Sequence, residues 1–112
     1  MPLLQINTNI SIKDTTALAK DASRIVAGML GKPESYVMVI INAEAAMVFG
    51  GSENSTAHLK LKSLGLDESK TADYSNHLCG FIQNTLGIAP ARIYIEFSDP
   101  KRHMWGWNSG TF

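Results

Sequence analysis

The chain has 112 residues, ten Lys or Arg set against ten Asp or Glu, and 45% hydrophobic residues. That is the length of a single domain, residues 1–112, able to bury about two-thirds of its unfolded surface without disulfides or metals. Zero formal charge with scattered basic residues argues against a nucleic-acid footprint and against a polybasic membrane patch.

The start, MPLLQINTN, has neither a basic n-region nor a long apolar h-region, so no secretory signal is expected. No apolar run reaches the length of a membrane span. The expected localisation is cytoplasmic, with non-classical secretion left open. Trimming of Met1 before the small residue Pro2 would expose a prolyl secondary amine. Enclosed by apolar walls, such an amine loses preference for its charged form and becomes a base near neutral pH.

Leu3 to Asn9 alternates as a strand does. A helix follows, capped by Asp14, with Leu18, Ala22, Ile25, Val26, Met29 and Leu30 at helical spacing. Gly31 ends it and Pro33 blocks continuation. The run Tyr36 to Ile41 is nearly all apolar, which predicts a strand buried on both faces. His58 to Leu64 alternates again, Leu59 and Leu61 opposing Lys60 and Lys62. Asp67 is the expected cap of a second helix with a stripe of Tyr74, Leu78, Phe81, Ile82 and Leu86. Gly87 ends that helix, Pro90 follows, and Ile93, Ile95 and Phe97 alternate with Tyr94 and Glu96.

The halves superpose at an offset of about 56 residues, Gly31 on Gly87 and Leu30 on Leu86. The expected fold is α+β: duplicated βαβ units forming a mixed sheet with two helices on one face. The other face then exposes the apolar Tyr36–Ile41 run, which predicts an oligomer whose sheets pack together. Cys79 is the only cysteine, so an intramolecular disulfide and a thiolate metal cluster are excluded. It sits on the second helix stripe as a small core residue. His58, His77 and His103 share no metal-ligand spacing, so no metal is expected.

MPLLQINTN, GKPESYV, MVFGGS, the Ser-Leu-Gly of 63–65, SNHLCG, RIYIEF and WGWNSGTF occur in this order. Together, nearly end to end, they resemble the macrophage migration inhibitory factor and D-dopachrome tautomerase family, within the tautomerase superfamily. The resemblance implies a homotrimer with sites between subunits, no cofactor or metal, and keto–enol tautomerisation of α-keto acids such as phenylpyruvate, with Pro2 as catalytic base.

By the same resemblance Lys32, in the GKP motif, binds the substrate carboxylate, beyond its simpler role at a helix C-terminus. Tyr94 and Glu96, on one face of a strand, reach into a neighbour's pocket. Glu96 departs from the usual asparagine, and a carboxylate there would raise the pKa of Pro2 and repel an anionic substrate. Trp107 and Phe112 shape the site, and Trp105 replaces a valine and narrows its mouth. Ser63 and Leu64 contribute a lining backbone segment. Asn108 has a backbone role, and Tyr36 is either a pocket residue or a strand-initiating aromatic. Thr56 and Leu59 occupy the positions of the cytokine's paired cysteines, which excludes thiol–disulfide exchange. Two rivals accompany this reading. One is a cytokine-like signalling protein that engages a receptor and keeps a vestigial pocket. The other is dehalogenase or decarboxylase chemistry, for which Arg24, Arg92 and Arg102 have no clear placement.

Overall fold

The computed structural model describes residues 1–112. Strand β1 (Leu3–Thr8) leads to helix α1 (Thr15–Leu30) and strand β2 (Met38–Asn42). Strand β3 (Ala57–Lys62) leads to helix α2 (Thr71–Leu86) and strand β4 (Ile93–Ser98), and a short hairpin follows, β5 (Gly106–Trp107) with β6 (Gly110–Thr111). Both ends of α2 lie 56 residues beyond those of α1, so the duplication read from the sequence is a duplication of structure. The sheet order is β2-β1-β3-β4. Each half contributes a parallel pair, and β1 and β3 join the halves in antiparallel register from Leu3↔Lys62 to Thr8↔Ala57.

Strand periodicity divides the sheet cleanly. On one face the register aligns Val39, Leu4, Leu61 and Phe97 in one row and Ile41, Ile6, Leu59 and Ile95 in the next. These rows pack under Ala22 and Val26 of α1 and Tyr74, Leu78 and Ile82 of α2, in one continuous core. The opposite face carries Leu3, Gln5 and Asn7 beside Met38, Ile40 and Asn42, and no helix covers it. Met38 is 60% exposed there.

The helix ends obey local chemistry. The Asp14 side chain accepts from Ala17 N at 3.0 Å and caps α1, satisfying one of the amides that an N-terminus leaves unpaired. Gly31 and Gly87 close the two helices at φ 63° and 69°, the left-handed region that a residue without Cβ enters at no steric cost.

Four expectations need correction. Tyr36 is not in β2; it ends a one-turn 3₁₀ helix, Glu34–Tyr36, and the strand starts at Met38. Nor is β2 buried on both faces in the single chain, because it is an edge strand whose outward side chains lack a cover. Asp67 does not cap α2 directly: its carboxylate accepts from Ser69 N and caps the 3₁₀ turn Glu68–Lys70, from which α2 continues. Ile25, placed on the buried stripe, is 39% exposed, since the narrow core-facing arc of α1 is filled by Leu18, Ala22 and Val26.

Candidate functional site

Pro2 is fully buried at the entry to β1. Its carbonyl accepts from Met38 N at 3.0 Å, so the first residues are fixed by the sheet and do not swing as a tail. Pro2 forms one wall of a mostly apolar recess of about 390 Å³, shared with Met1, Tyr36, Trp105, Trp107 and Phe112. This volume falls within the range of small-molecule sites. The rings form a continuous wall: Trp107 and Phe112 stack with centroids 5.5 Å apart and planes 13° apart, and Tyr36 meets Trp107 edge-on at 5.9 Å.

The hairpin β5–β6 holds this wall in place. Its two central residues, Asn108 and Ser109, have φ 51° and 64°, the pair of left-handed conformations that matches strand twist in a two-residue hairpin. Asparagine tolerates that region better than most residues, so the role of Asn108 lies in its backbone. Phe112 N donates to Trp105 O at 3.1 Å and ties the last aromatic to the first.

The electrostatics weaken the charged form of an amine at this end of the chain. The chain's amino group, here on Met1, is pushed below its ordinary value chiefly by burial, then by the charges of Lys32 and Arg102. Both effects penalise an ammonium. Lys32, half-buried just past the glycine that ends α1, therefore lies within electrostatic reach of the Met1 amine, although it does not line the recess. Arg102 does so too, from the one-turn helix Arg102–Met104 that leads into Trp105. Nothing in the sequence signalled Arg102, because only the fold of the last segment brings it back to the start of the chain.

Other residues expected in the site do not line the recess in the single chain. Ser63 and Leu64 are buried at the end of β3, one step past the Leu3–Lys62 pair and so at the Pro2 end of the sheet. Ser63 Oγ is enclosed without a hydrogen-bond partner. Tyr94 and Glu96 are on β4, with β3 between them and β1. Tyr94 lies in the row of His58 and Asn7, five residues along β1 from Pro2, roughly 16 Å at strand spacing. No single chain brings Tyr94 to its own Pro2.

Glu96 is engaged on its own chain. Gln5 Nε2 and Asn42 Nδ2 donate to Asn7 Oδ1 at 3.2 and 2.8 Å. That orients the Asn7 amide to donate from Nδ2 to His58 Nδ1 at 3.2 Å, which leaves His58 Nε2 to face the Glu96 carboxylate. This polar ladder crosses all four strands on the uncovered face. The hydrogen bond from His58 holds the Glu96 carboxyl below its usual range, against a small opposing effect of burial and with help from the charges of His58, Lys60 and Lys62.

The paired-cysteine positions have structural uses here. Thr56 Oγ1 donates to Arg92 O at 2.7 Å, and Thr56 O accepts from Thr8 Oγ1 at 2.8 Å; Leu59 is fully buried. Cys79 is partly buried against the core, and burial raises its thiol pKa. A larger, polar recess of about 720 Å³ lies beside Arg92 and Glu53, with Arg92 bonded to backbone carbonyls.

Two helices on a four-stranded mixed sheet built by duplication, with the chain's first residues in an aromatic-walled recess, define the tautomerase-like α+β class. The family described as Macrophage migration inhibitory factor (MIF) matches residues 1–112. A Brugia malayi protein named as a macrophage migration inhibitory factor homolog is 41% identical over 114 residues, covering the whole chain and 99% of the relative. The solved structure of a homologue from Prochlorococcus marinus superposes with a TM-score of 0.93 at 39% identity, covering 98% of each chain. The Trichinella spiralis factor superposes with the same score at 37% identity, over 98% of this chain and 99% of that one. The chain belongs to the macrophage migration inhibitory factor family.

Proposed function

We propose that this protein is a keto–enol tautomerase acting on phenylpyruvate-like α-keto acids, with Pro2 as its catalytic base once Met1 is removed. The observation that carries this reading is Pro2 itself, buried as one wall of an aromatic recess, next to the Met1 amino group whose charged form burial and two cations disfavour. A proline amine exposed in the same place would have its charged form disfavoured by the same causes, the direction that suits a base for proton transfer near neutral pH. In ketonisation the Pro2 nitrogen accepts the enol hydroxyl proton, and the resulting prolinium delivers a proton to the adjacent carbon as the carbonyl forms. Lys32 holds the carboxylate by charge. Trp105, Trp107 and Phe112 pack the aromatic end.

The working unit in this proposal is a homotrimer in which Tyr94 and Glu96 of one subunit complete the recess of the next, while Ser63 and Leu64 line it from the end of β3. The uncovered sheet face and the exposed edge at Met38 support association. The distance between Pro2 and Tyr94 within one chain also favours sites built across subunits. The names of the curated relatives support a second reading, a cytokine-like protein that binds a receptor and keeps a weak site.

The test is ketonisation of enol-phenylpyruvate by protein starting at Pro2, by a Met1-retaining form, and by Pro2→Gly. A retained Met1 makes the Pro2 nitrogen an amide with no basic lone pair. The expected outcome is a loss of at least roughly 100-fold in the Met1-retaining form, the usual scale for a general base, and a smaller loss in Pro2→Gly, whose terminal amine is still basic but is less fixed in position. Equal rates in all three would remove Pro2 from the mechanism. Absence of turnover in every form, with receptor binding retained, favours the second reading.

A further inference from the structure

Arg92 ends the one-turn helix Pro90–Arg92 that feeds β4, and it is half-buried without a carboxylate partner. Its guanidinium donates from Nε to Ser55 O at 2.9 Å and from Nη1 to Phe49 O at 3.2 Å. Nη2 donates to Ser52 O at 3.2 Å and to Asn54 O at 3.0 Å. Its own carbonyl accepts from Thr56 Oγ1 at 2.7 Å. One side chain thus donates to four carbonyls of a segment that has little regular structure of its own; Asn9 Nδ2 supports the same segment at Glu53 O and Asn54 O, at 3.0 and 3.1 Å. Within that segment Phe49 and Ser52 exchange backbone hydrogen bonds at 3.0 Å around Gly50 and Gly51, both at positive φ. Glycine-rich turns are mobile unless held from outside, and the planar fork of arginine can hold several diverging carbonyls at once.

The clamp extends to an aromatic pair. The guanidinium carbon lies 5.3 Å from the centroid of the Phe49 ring, a cation–π distance. Phe49 in turn meets Tyr94 edge to face, with centroids 4.8 Å apart and planes 64° apart. Tyr94 is 66% exposed, and its ring packs on Phe49, which in turn lies under Arg92 and pairs with Ser52 through its backbone.

We infer that Arg92 is a positioning residue that sets the Tyr94 ring, through Phe49, for its place in the site of a neighbouring subunit. This rests on the proposed tautomerase reading, in which Tyr94 completes that site. Arg92 touches no substrate and acts only through geometry. A ring misplaced by about 1 Å is enough to degrade a preorganised site strongly.

The experiment compares Arg92→Lys, Arg92→Gln and Phe49→Leu with Tyr94→Ala, using an aromatic and a small aliphatic α-keto acid, with assembly state followed in parallel. In the Arg92 variants KM for the aromatic substrate is expected to rise roughly tenfold with kcat nearly unchanged, the pattern of lost binding contacts. The aliphatic substrate is expected to be unaffected. Adding Tyr94→Ala to Arg92→Gln should produce no further loss, because both act through one ring. Ring resonances of Tyr94, assigned with Tyr94→Phe, should shift in Arg92→Gln and Phe49→Leu even without substrate.

Unmoved ring signals in Arg92→Gln would overturn the inference. So would equal losses on both substrates accompanied by altered assembly, which mark a merely structural role. Shifted signals together with a kinetically silent Tyr94→Ala would also overturn it, and would show that the parent reading of Tyr94 had failed while the clamp itself stands.

Discussion

Lys32 and Ile88 each follow the left-handed glycine that closes a 16-residue helix, yet Lys32 lies half-buried beside the Pro2 recess while Ile88 is fully buried in the core. Four residues later Tyr36 and Arg92 each end a one-turn helix. Tyr36 contributes a ring to the recess, whereas Arg92 laces a loop. The exits of the halves are also exchanged. Residues 49–55, which leave the first half, are held by Arg92 of the second. The hairpin that leaves the second half walls the recess of the first. A repeated backbone therefore offers two equivalent turns, and the side chain at each step decides whether the turn borders the recess or laces a loop.

Exchanging the paired residues tests this contrast most severely. Ile88→Lys forces an ammonium into the core and is expected to cost about 3 kcal/mol or more in urea unfolding. Lys32→Ile should leave stability nearly unchanged and weaken α-keto acid binding. Similar destabilisation by both would mean that the two turns are not distinct. The helix starts give a smaller difference. Asp14→Ala removes a direct cap of α1 and should cost about 1 kcal/mol, whereas Asp67→Ala affects only the exposed turn before α2 and should cost less by the same measurement.

The smallest effect is expected at the outer edge of the sheet. The folded pKa of Glu96 is lowered by His58, so its contribution is complete above its unfolded value of about 4.3. It is lost as pH falls through the folded value. The pair is open to solvent, which keeps the effect slight. The Tm difference between wild type and Glu96→Gln should therefore shrink as the pH drops below about 5. A difference that widens in acid would contradict the pairing.

The sequence made the repeat legible because helix ends have local causes. Gly31, Gly87 and Asp14 need only their own neighbours to act, and each is found in its expected role. Tyr36 departs from the expected strand because an aromatic side chain fits a 3₁₀ turn as well as a strand. Ile25 departs from the buried stripe because helical spacing does not reveal how narrow the covered arc is. At the site, the aromatic recess follows a motif visible in the chain, the closely spaced rings of Trp105, Trp107 and Phe112. The Glu96–His58 contact depends on the register of β3 against β4, which the letters do not specify. The Arg92 clamp was invisible for a different reason: its acceptors are backbone carbonyls, which every residue carries.

The antiparallel seam between β1 and β3 has a consequence for how the chain reaches this state. Each βαβ unit alone would hold only two strands, fewer than an independently stable sheet needs, and would leave the inner edge of that seam unpaired and open to aggregation. Closing the seam brings together positions from the first few residues and from midway along the polypeptide, a non-local step of the kind that slows folding. Dividing the gene between its two repeats should therefore yield fragments that assemble only when both are present.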